Sequence, residues 1–399
     1  MPGPISNLTT NPRLSALWPS PAGSDLAVGW GKLFLAGVLV MTGTLIPDET
    51  EAAEVVLRCS PTLIDAPGAL DWSVTGVLQV ADDDDADPDA TGSFDMVGHR
   101  RHGAGVWLMQ VEGSTSESSG RVSGQFPLSN GDAATAVDED GDGRVQLSQI
   151  NYTRKGETFA FAAGLVDPTC YLDLSRFAND ETQNFLAAPF INNLSIAFPD
   201  YTLGGGLHLH RETGLEATFF VSSSNGLGDN DSASYSNLVD VTDSGKGIFA
   251  AAELIREGER IYRLGVWTNT RDFEELEDPD GTGSNYGIYG LVEGSSQTID
   301  WNIRVGAANP DVSEIALFAA LATEFPLGRT TAGLAMSYLR GSGDLASDSS
   351  NAVFAEASIH VDIGERLRLT PLVQWTRNDS FTDRDALIAG LRATYFRAH

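Results

Sequence analysis

No apolar run in this chain reaches the roughly 20 residues that a membrane-spanning helix needs, yet apolar residues recur at every second position through one segment after another. Trp72, Val74, Leu78 and Val80 alternate with Asp71, Ser73, Thr75 and Gln79. Leu215, Ala217, Phe219 and Val221 alternate with Glu216, Thr218 and Ser222, and Trp301, Ile303 and Val305 with Asp300, Asn302 and Arg304. Val353, Ala355, Ala357, Ile359, Val361 and Ile363 oppose Glu356, Ser358, His360 and Asp362. Leu367, Leu369, Val373 and Trp375 oppose Arg366, Arg368, Thr370, Gln374 and Thr376. A period of two is the signature of a β-ribbon with one apolar face. Similar ribbons recur near 104–114, 145–153, 157–166, 203–210, 246–255, 260–268, 284–292, 313–323, 331–339 and 386–396, about fifteen in all.

Each ribbon is about ten residues long, the length a tilted strand needs to cross a bilayer, whereas strands of soluble sheets average about five or six. The connections alternate between short turns, such as 155–157, 212–214 and 257–259, and long acidic stretches, such as 82–92 and 128–143. No self-similar repeat of propeller length is present. Trp72, Trp107, Trp267, Trp301, Trp375 and Tyr395 fall near ribbon ends, where interfacial girdles lie. The pattern predicts an all-β fold, a transmembrane antiparallel β-barrel of about 16 strands. An odd count of ribbons means that one strand is hidden, since such barrels close with an even number. The final ribbon, 386–396, resembles the C-terminal recognition strand of outer-membrane proteins, although Arg397, Ala398 and His399 follow it.

The apolar run Lys32–Ile46 suits a secretory signal core. The expected organisation is a leader over 1–53, an N-terminal periplasmic segment over 54–69, and the barrel over 70–399. Cys59 and Cys170 form no metal or redox motif, and a disulfide and two separate thiols both stay open. With 55 acidic residues against 25 basic ones the net charge is −30. Such a chain repels nucleic acid and attracts cations.

If the apolar faces meet lipid, the opposite faces line the interior. That set includes Arg263, Arg304, Arg366, Arg368, Arg392, Glu112, Glu216, Glu253, Glu356 and Asp300, together with His208, His210 and His360. Arg and Glu there either present donors and acceptors to a neutral solute or pair with each other to hold the barrel's shape. Phe220 and Phe249 are candidate stacking surfaces for sugar rings. The two histidines at 208 and 210 are expected to be solvated rather than metal-bound.

The stretch Val137–Gln149 spells most of an EF-hand loop, with Asp138, Asp140, Asp142 and Gly143 in place. Position twelve is Gln149 rather than a bidentate Glu, and the chain beyond Arg144 reads as a strand, so this is no calcium sensor. Asp138, Asp140 and Asp142 could still gather one calcium ion weakly, as a structural Ca2+ site. No nucleophile elbow, phosphate-binding loop or zinc signature appears, so no enzyme is expected and no cofactor is required.

One long segment is not a ribbon. It carries GLVDPT (Gly164–Thr169), RFANDETQNFL (Arg176–Leu186), PFINN (Pro189–Asn193) and FPDYTLGGGL (Phe198–Leu207). In order and spacing these pieces resemble the carbohydrate-selective porin family of Gram-negative outer membranes, over about an eighth of the chain. The resemblance implies a sixteen-stranded outer-membrane channel whose inward-folded loops narrow the lumen and select sugars over ions. The narrowing is expected near 167–202, with a short helix after Ser175, packing anchors at Phe177 and Phe185, and Arg176, Asp180, Glu181 and Gln183 facing the pore. Its partners would be small sugars or other hydrophilic solutes and outer-membrane lipid, with monomer and homo-oligomer both open. A general porin leaning toward cations is the second expectation. A non-conducting surface β-protein that binds calcium or a partner is a third, of another class.

Overall fold

A computed structural model describes residues 70–397, apart from 139, 211–213, 229–233, 243–245, 279, 346 and 348. The expected leader and periplasmic segment, and Cys59 with them, lie outside the described residues. Period-two patterning becomes sixteen strands: β1 (Leu70–Ala81), β2 (Asp89–His102), β3 (Gly105–Ser114), β4 (Val145–Lys155), β5 (Phe159–Val166), β6 (Thr202–Leu209), β7 (Leu215–Ser223) and β8 (Ile248–Arg256). The second half comprises β9 (Arg260–Glu274), β10 (Thr282–Ser295), β11 (Asp300–Ala308), β12 (Ile315–Leu327), β13 (Thr330–Gly341), β14 (Asn351–Ile363), β15 (Leu367–Arg377) and β16 (Ala386–Arg397). Each strand pairs antiparallel with its sequence neighbours, and β1 closes on β16 from Trp72 opposite Arg397 to Ala81 opposite Ile388. Closure leaves no unpaired sheet edge, the condition a sheet must meet in hydrocarbon.

The strand hidden from sequence reading is β2. Its outer face carries Gly92 and Gly98 among Ala90, Phe94 and Met96, so the apolar alternation is faint. Its start was expected to belong to the acidic loop 82–92. Asp89 instead joins the sheet opposite Gln79, and its buried carboxylate accepts from the Ser123 amide at 2.9 Å.

Short turns at 103–104, 156–158, 210–214, 257–259, 296–299, 328–329 and 364–366 gather at one end. In the two-residue turn after β12, Gly328 has φ of 70°, a left-handed conformation that glycine adopts without strain. Eight longer loops lie at the other end: L1 (82–88), L2 (115–144), L3 (167–201), L4 (224–247), L5 (275–281), L6 (309–314), L7 (342–350) and L8 (378–385).

The outer surface is apolar, with Val74, Leu78, Phe219, Leu264, Ile288 and Val373 all well exposed. An apolar belt around a closed barrel is the surface a bilayer solvates. Aromatic side chains concentrate at its short-turn rim, where Trp72 lies 5.5 Å from Tyr395, Trp107 lies 5.3 Å from Tyr152, and Arg260 sits 5.6 Å above Trp301. Trp267 does not join this girdle. Alternation along β9 puts Tyr262, Leu264 and Val266 outside, so Trp267 points inward with Arg263 and is 3% exposed.

Ile288 lies mid-strand in this belt, and Ile288→Arg should destabilise the lipid-embedded barrel by about 2–4 kcal/mol if it sits near the midplane. Denaturant titration of the folded barrel in bilayers measures it. A loss indistinguishable from zero would mean that this face is not solvated by lipid.

Candidate functional site

L3 leaves the wall after Val166, where the Asp167 carboxylate accepts from the Thr169 amide at 2.8 Å and hydroxyl at 2.7 Å. The chain then crosses the interior against the inner faces of β7–β16 before returning to β6. Being irregular, it needs hydrogen-bond partners for its main chain, and charged side chains of the wall supply them. Glu253 on β8 accepts from the Asp173 amide at 3.0 Å, from Arg263 Nη1 at 2.9 Å and from the Tyr289 hydroxyl at 2.9 Å. Glu293 on β10 accepts from the Ser175 hydroxyl and the Arg176 amide, both at 2.9 Å. Arg304 on β11 pairs with Asp173 at 3.0 Å and donates to the carbonyls of Phe190 at 3.0 Å and Asp173 at 3.1 Å. Glu356 on β14 accepts from the amides of Leu186 and Ala187, each at 2.9 Å. Arg392 on β16 donates to the carbonyls of Glu181 at 2.5 Å and Asn184 at 2.8 Å, and Thr394 donates to that of Thr182 at 2.7 Å.

These anchors explain why the helix expected after Ser175 does not form. The amides and carbonyls of 181–187 bond outward to β14 and β16, and Asp180 Oδ1 accepts from the Thr182 amide at 2.8 Å and the Gln183 amide at 3.1 Å. A carboxylate that captures nearby amides competes with helical bonding. Among the described residues of L3 the helical turns are a 3-10 turn at Pro168–Cys170 and one α-helical turn at Ala188–Ile191.

Apolar contacts complete the seat. Phe185 and Phe190, 5.8 Å apart, pack with Phe318, Ala320, Ala322, Leu339 and Phe354 on the inner faces of β12–β14, and Phe177 packs against this cluster as expected. Val166, Leu172 and Ile196 pack with Phe220, Phe249, Trp267 and Tyr289 on the other side. Phe220 and Phe249 therefore lie beneath L3 rather than open to a solute.

The wall charges divide in the same way. Arg263 and Arg304 are 3% and 1% exposed, and with Glu253 they sit under L3. Glu216 pairs with His208 at 2.8 Å, so His208 is a buried partner rather than the solvated group expected, whereas His210 keeps partial exposure; His360 is buried too, against Thr370 at 3.2 Å and Glu324 at 3.5 Å. Arg368 pairs with Asp362 at 2.7 Å. Arg366 is not on a lumen face; it lies in the turn 364–366, where its carbonyl accepts from the Phe396 amide at 2.9 Å. Arg176, with a side chain 41% exposed, and Asp180, Glu181 and Gln183 remain partly accessible on L3.

L2 also folds inward, which its acidic composition concealed. Asn130 donates to Gln79 at 2.9 Å and Thr91 at 3.0 Å, Ser93 donates to Asp132 at 2.6 Å, and the Gly131 amide donates to the Leu186 carbonyl at 2.8 Å. The apolar pair Phe126 and Leu128 inside that loop was the available signal. Between the loops and the arc β2–β4, Asp95 and Gln110 keep partial exposure, and Glu112 accepts from the Tyr201 hydroxyl at 2.6 Å and from Gln146 at 2.9 Å. Arg144 joins this network from the L2 side, donating to Gln146 Oε1 from Nε at 2.9 Å and from Nη2 at 2.7 Å.

Burial pushes the Asp132 carboxyl up to about 7; Asp95 and Asp180 act in the same direction, against Ser93 and Arg392. Glu181 is raised as well, by burial first and then by Asp180 and Asp132. In the EF-hand-like stretch, Asp138 accepts from the amides of Asp140 and Asp142, both at 3.0 Å, and closes an acidic turn. Among the described residues no three His, Cys, Asp or Glu side chains are grouped as metal ligands.

No family model matches the chain, and no curated protein matches it. Solved structures do. Pseudomonas putida OprB superposes with a TM-score of 0.65 at 11% identity, over 83% of this chain and 94% of that one. OmpT of Vibrio cholerae, an outer membrane protein solved with loop L8 deleted, gives 0.51 at 10% identity over 83% and 99%. A variant of the Rh. blastica porin gives 0.50 at 11% identity over 83% and 100%. The chain has the porin fold.

Glu356→Ala removes the acceptor of two buried amides and should loosen L3 by about 1–3 kcal/mol, read as faster hydrogen exchange at Leu186 and Ala187 with the barrel strands unchanged. A second expectation concerns pH. With its folded pKa above the unfolded value of about 3.9, Asp132 binds more protons when folded, so its contribution is fullest at low pH and is lost as pH rises through 7. Exchange protection of L2, corrected for intrinsic rates, should fall between pH 5 and 8; protection that rises would contradict the assignment.

Proposed function

We propose that this protein is an outer-membrane porin of a Gram-negative bacterium, through which small hydrophilic solutes, carbohydrates first among them, diffuse down their gradients. The observation that carries this reading is the seating of L3. A closed barrel with an apolar exterior holds an irregular segment across its interior by main-chain bonds to at least five wall strands. Such a segment narrows the lumen to a fixed width, and solutes pass along the arc β2–β4. That arc offers amides and carboxylates, groups that exchange hydrogen bonds with hydroxyls in place of water. Weak polar binding along a wetted pore permits passage without any reaction or cofactor.

The carbohydrate assignment draws on the resemblance of the segments between Gly164 and Leu207, and these segments build L3 and the strands flanking it. A second reading, a porin leaning toward cations, draws on the carboxylates around the narrowing and on the engagement of Arg304 and Arg392 with L3 carbonyls.

Current through the purified protein in a planar bilayer tests both. Discrete channels blocked progressively by glucose or maltose are expected. Channels indifferent to sugar, with a reversal potential favouring cations, would move the assignment to the second reading. Folded, inserted protein that conducts nothing would overturn the porin.

A further inference from the structure

Four carboxylates from three elements meet at the narrowing: Asp95 on β2, Asp132 on L2, and Asp180 and Glu181 on L3. Ser93, which holds Asp132, lies opposite Thr75 on β1, and Thr75 lies opposite Thr394 on β16, which holds the Thr182 carbonyl, so the register of three neighbouring strands brings Asp132 near Asp180 and Glu181, while Asp95 shares the inner face of β2 with Ser93. Arg392 is the cation that acts on Asp132, and two of its nitrogens are held by the Glu181 and Asn184 carbonyls. Asp132 is 1% exposed; Ser93 holds its Oδ1 at 2.6 Å, and Oδ2 has no hydrogen-bond donor among the described residues. A buried carboxylate oxygen left unpaired is costly unless a donor arrives.

The spacing selects among cations. Among the described residues no three of these side chains are grouped closely enough to coordinate a bare metal ion. An ammonium group asks for less: separate hydrogen bonds to acceptors around it, and charge-assisted ones are the stronger kind. Its charge also offsets the mutual repulsion of the carboxylates. We propose that the carboxylates of Asp95, Asp132, Asp180 and Glu181 form a recognition site for a protonated amine, so that the favoured solutes are polyhydroxylated molecules carrying an ammonium group. This rests on the porin reading and gives its substrate class a charge.

A bound ammonium favours the charged form of Asp132, so binding should tighten as pH rises from 6 to 8. The charged groups facing Asp132 across that range are Asp95, Asp180, Glu181 and Arg392.

Three solutes with matched carbon chains separate the possibilities: N-methylglucamine (cationic), sorbitol (neutral) and gluconate (anionic), each added to single channels of the full chain. N-methylglucamine should interrupt the current at about one tenth of the sorbitol concentration, the effect of one weak charge-assisted hydrogen bond. Gluconate should be the poorest blocker. Asp132→Asn combined with Asp180→Asn should remove most of that difference while sorbitol block stays; if that variant does not insert, Glu181→Gln carries the same expectation. Open channels on which N-methylglucamine and sorbitol act at equal concentration overturn the ammonium site and leave the porin standing. No current from inserted, folded protein overturns the porin and this inference with it.

Discussion

An irregular chain segment inside a barrel carries amide and carbonyl groups that water cannot fully reach, and each must find a partner. L3 meets this requirement by drawing on the wall. Glu253, Glu293 and Glu356 take its amides, and Arg304 and Arg392 take its carbonyls. Breaking one such buried charged contact leaves the other partner unpaired, which is why these groups act together rather than singly. The position of L3, the width it leaves and the charge of that opening all follow from this exchange.

The inner wall is fitted to the same task. Ala320, Ala322, Ala335 and Ala352 let Phe185 and Phe190 approach the sheet closely. On the opposite side the Tyr289 ring lies over Gly265, where an added Cβ would come within 2.1 Å of Tyr289 Cζ. Small residues on the inner faces mark contact with L3, not open lumen. L4 supports the wall at the point where L3 departs. There β4 pairs with β5 only from Ile150 onward, and the Tyr235 hydroxyl bonds both the amide and the carbonyl of Leu147, at 2.8 and 3.0 Å.

Most of the barrel could be read from the chain because lipid and lumen impose opposite chemistry on alternate residues. Faces assigned from Leu215, Glu216, Ile303, Arg304, Glu356 and Ile359 agree with the structure for that reason. The rule weakened at β2, whose outer glycines carry no hydropathy signal, and at Trp267, which is apolar but faces inward. It was silent about L2, where Asp132 is buried within a loop that composition marks as solvated. Arg263 and Arg304 were correctly placed inside; whether they met solute or L3 was beyond pattern, because the answer depends on a segment far away in sequence.

Alternation, ribbon length and turn spacing are local properties, and they sufficed to determine an antiparallel barrel with an apolar exterior and one long segment, between β5 and β6, that is not a ribbon; that this segment folds inward was implied by its resemblance alone. Which charges remain accessible is not local. Glu356 meets Leu186, and Arg392 meets Glu181, across distances in sequence that no periodicity encodes. Only folding decides that the arginines of the wall hold carbonyls while carboxylates from L2, L3 and β2 gather at the narrowing. The physical reason is that main-chain groups buried in the barrel bind the nearest strong donors and acceptors first, and only the charged groups they leave over stay accessible.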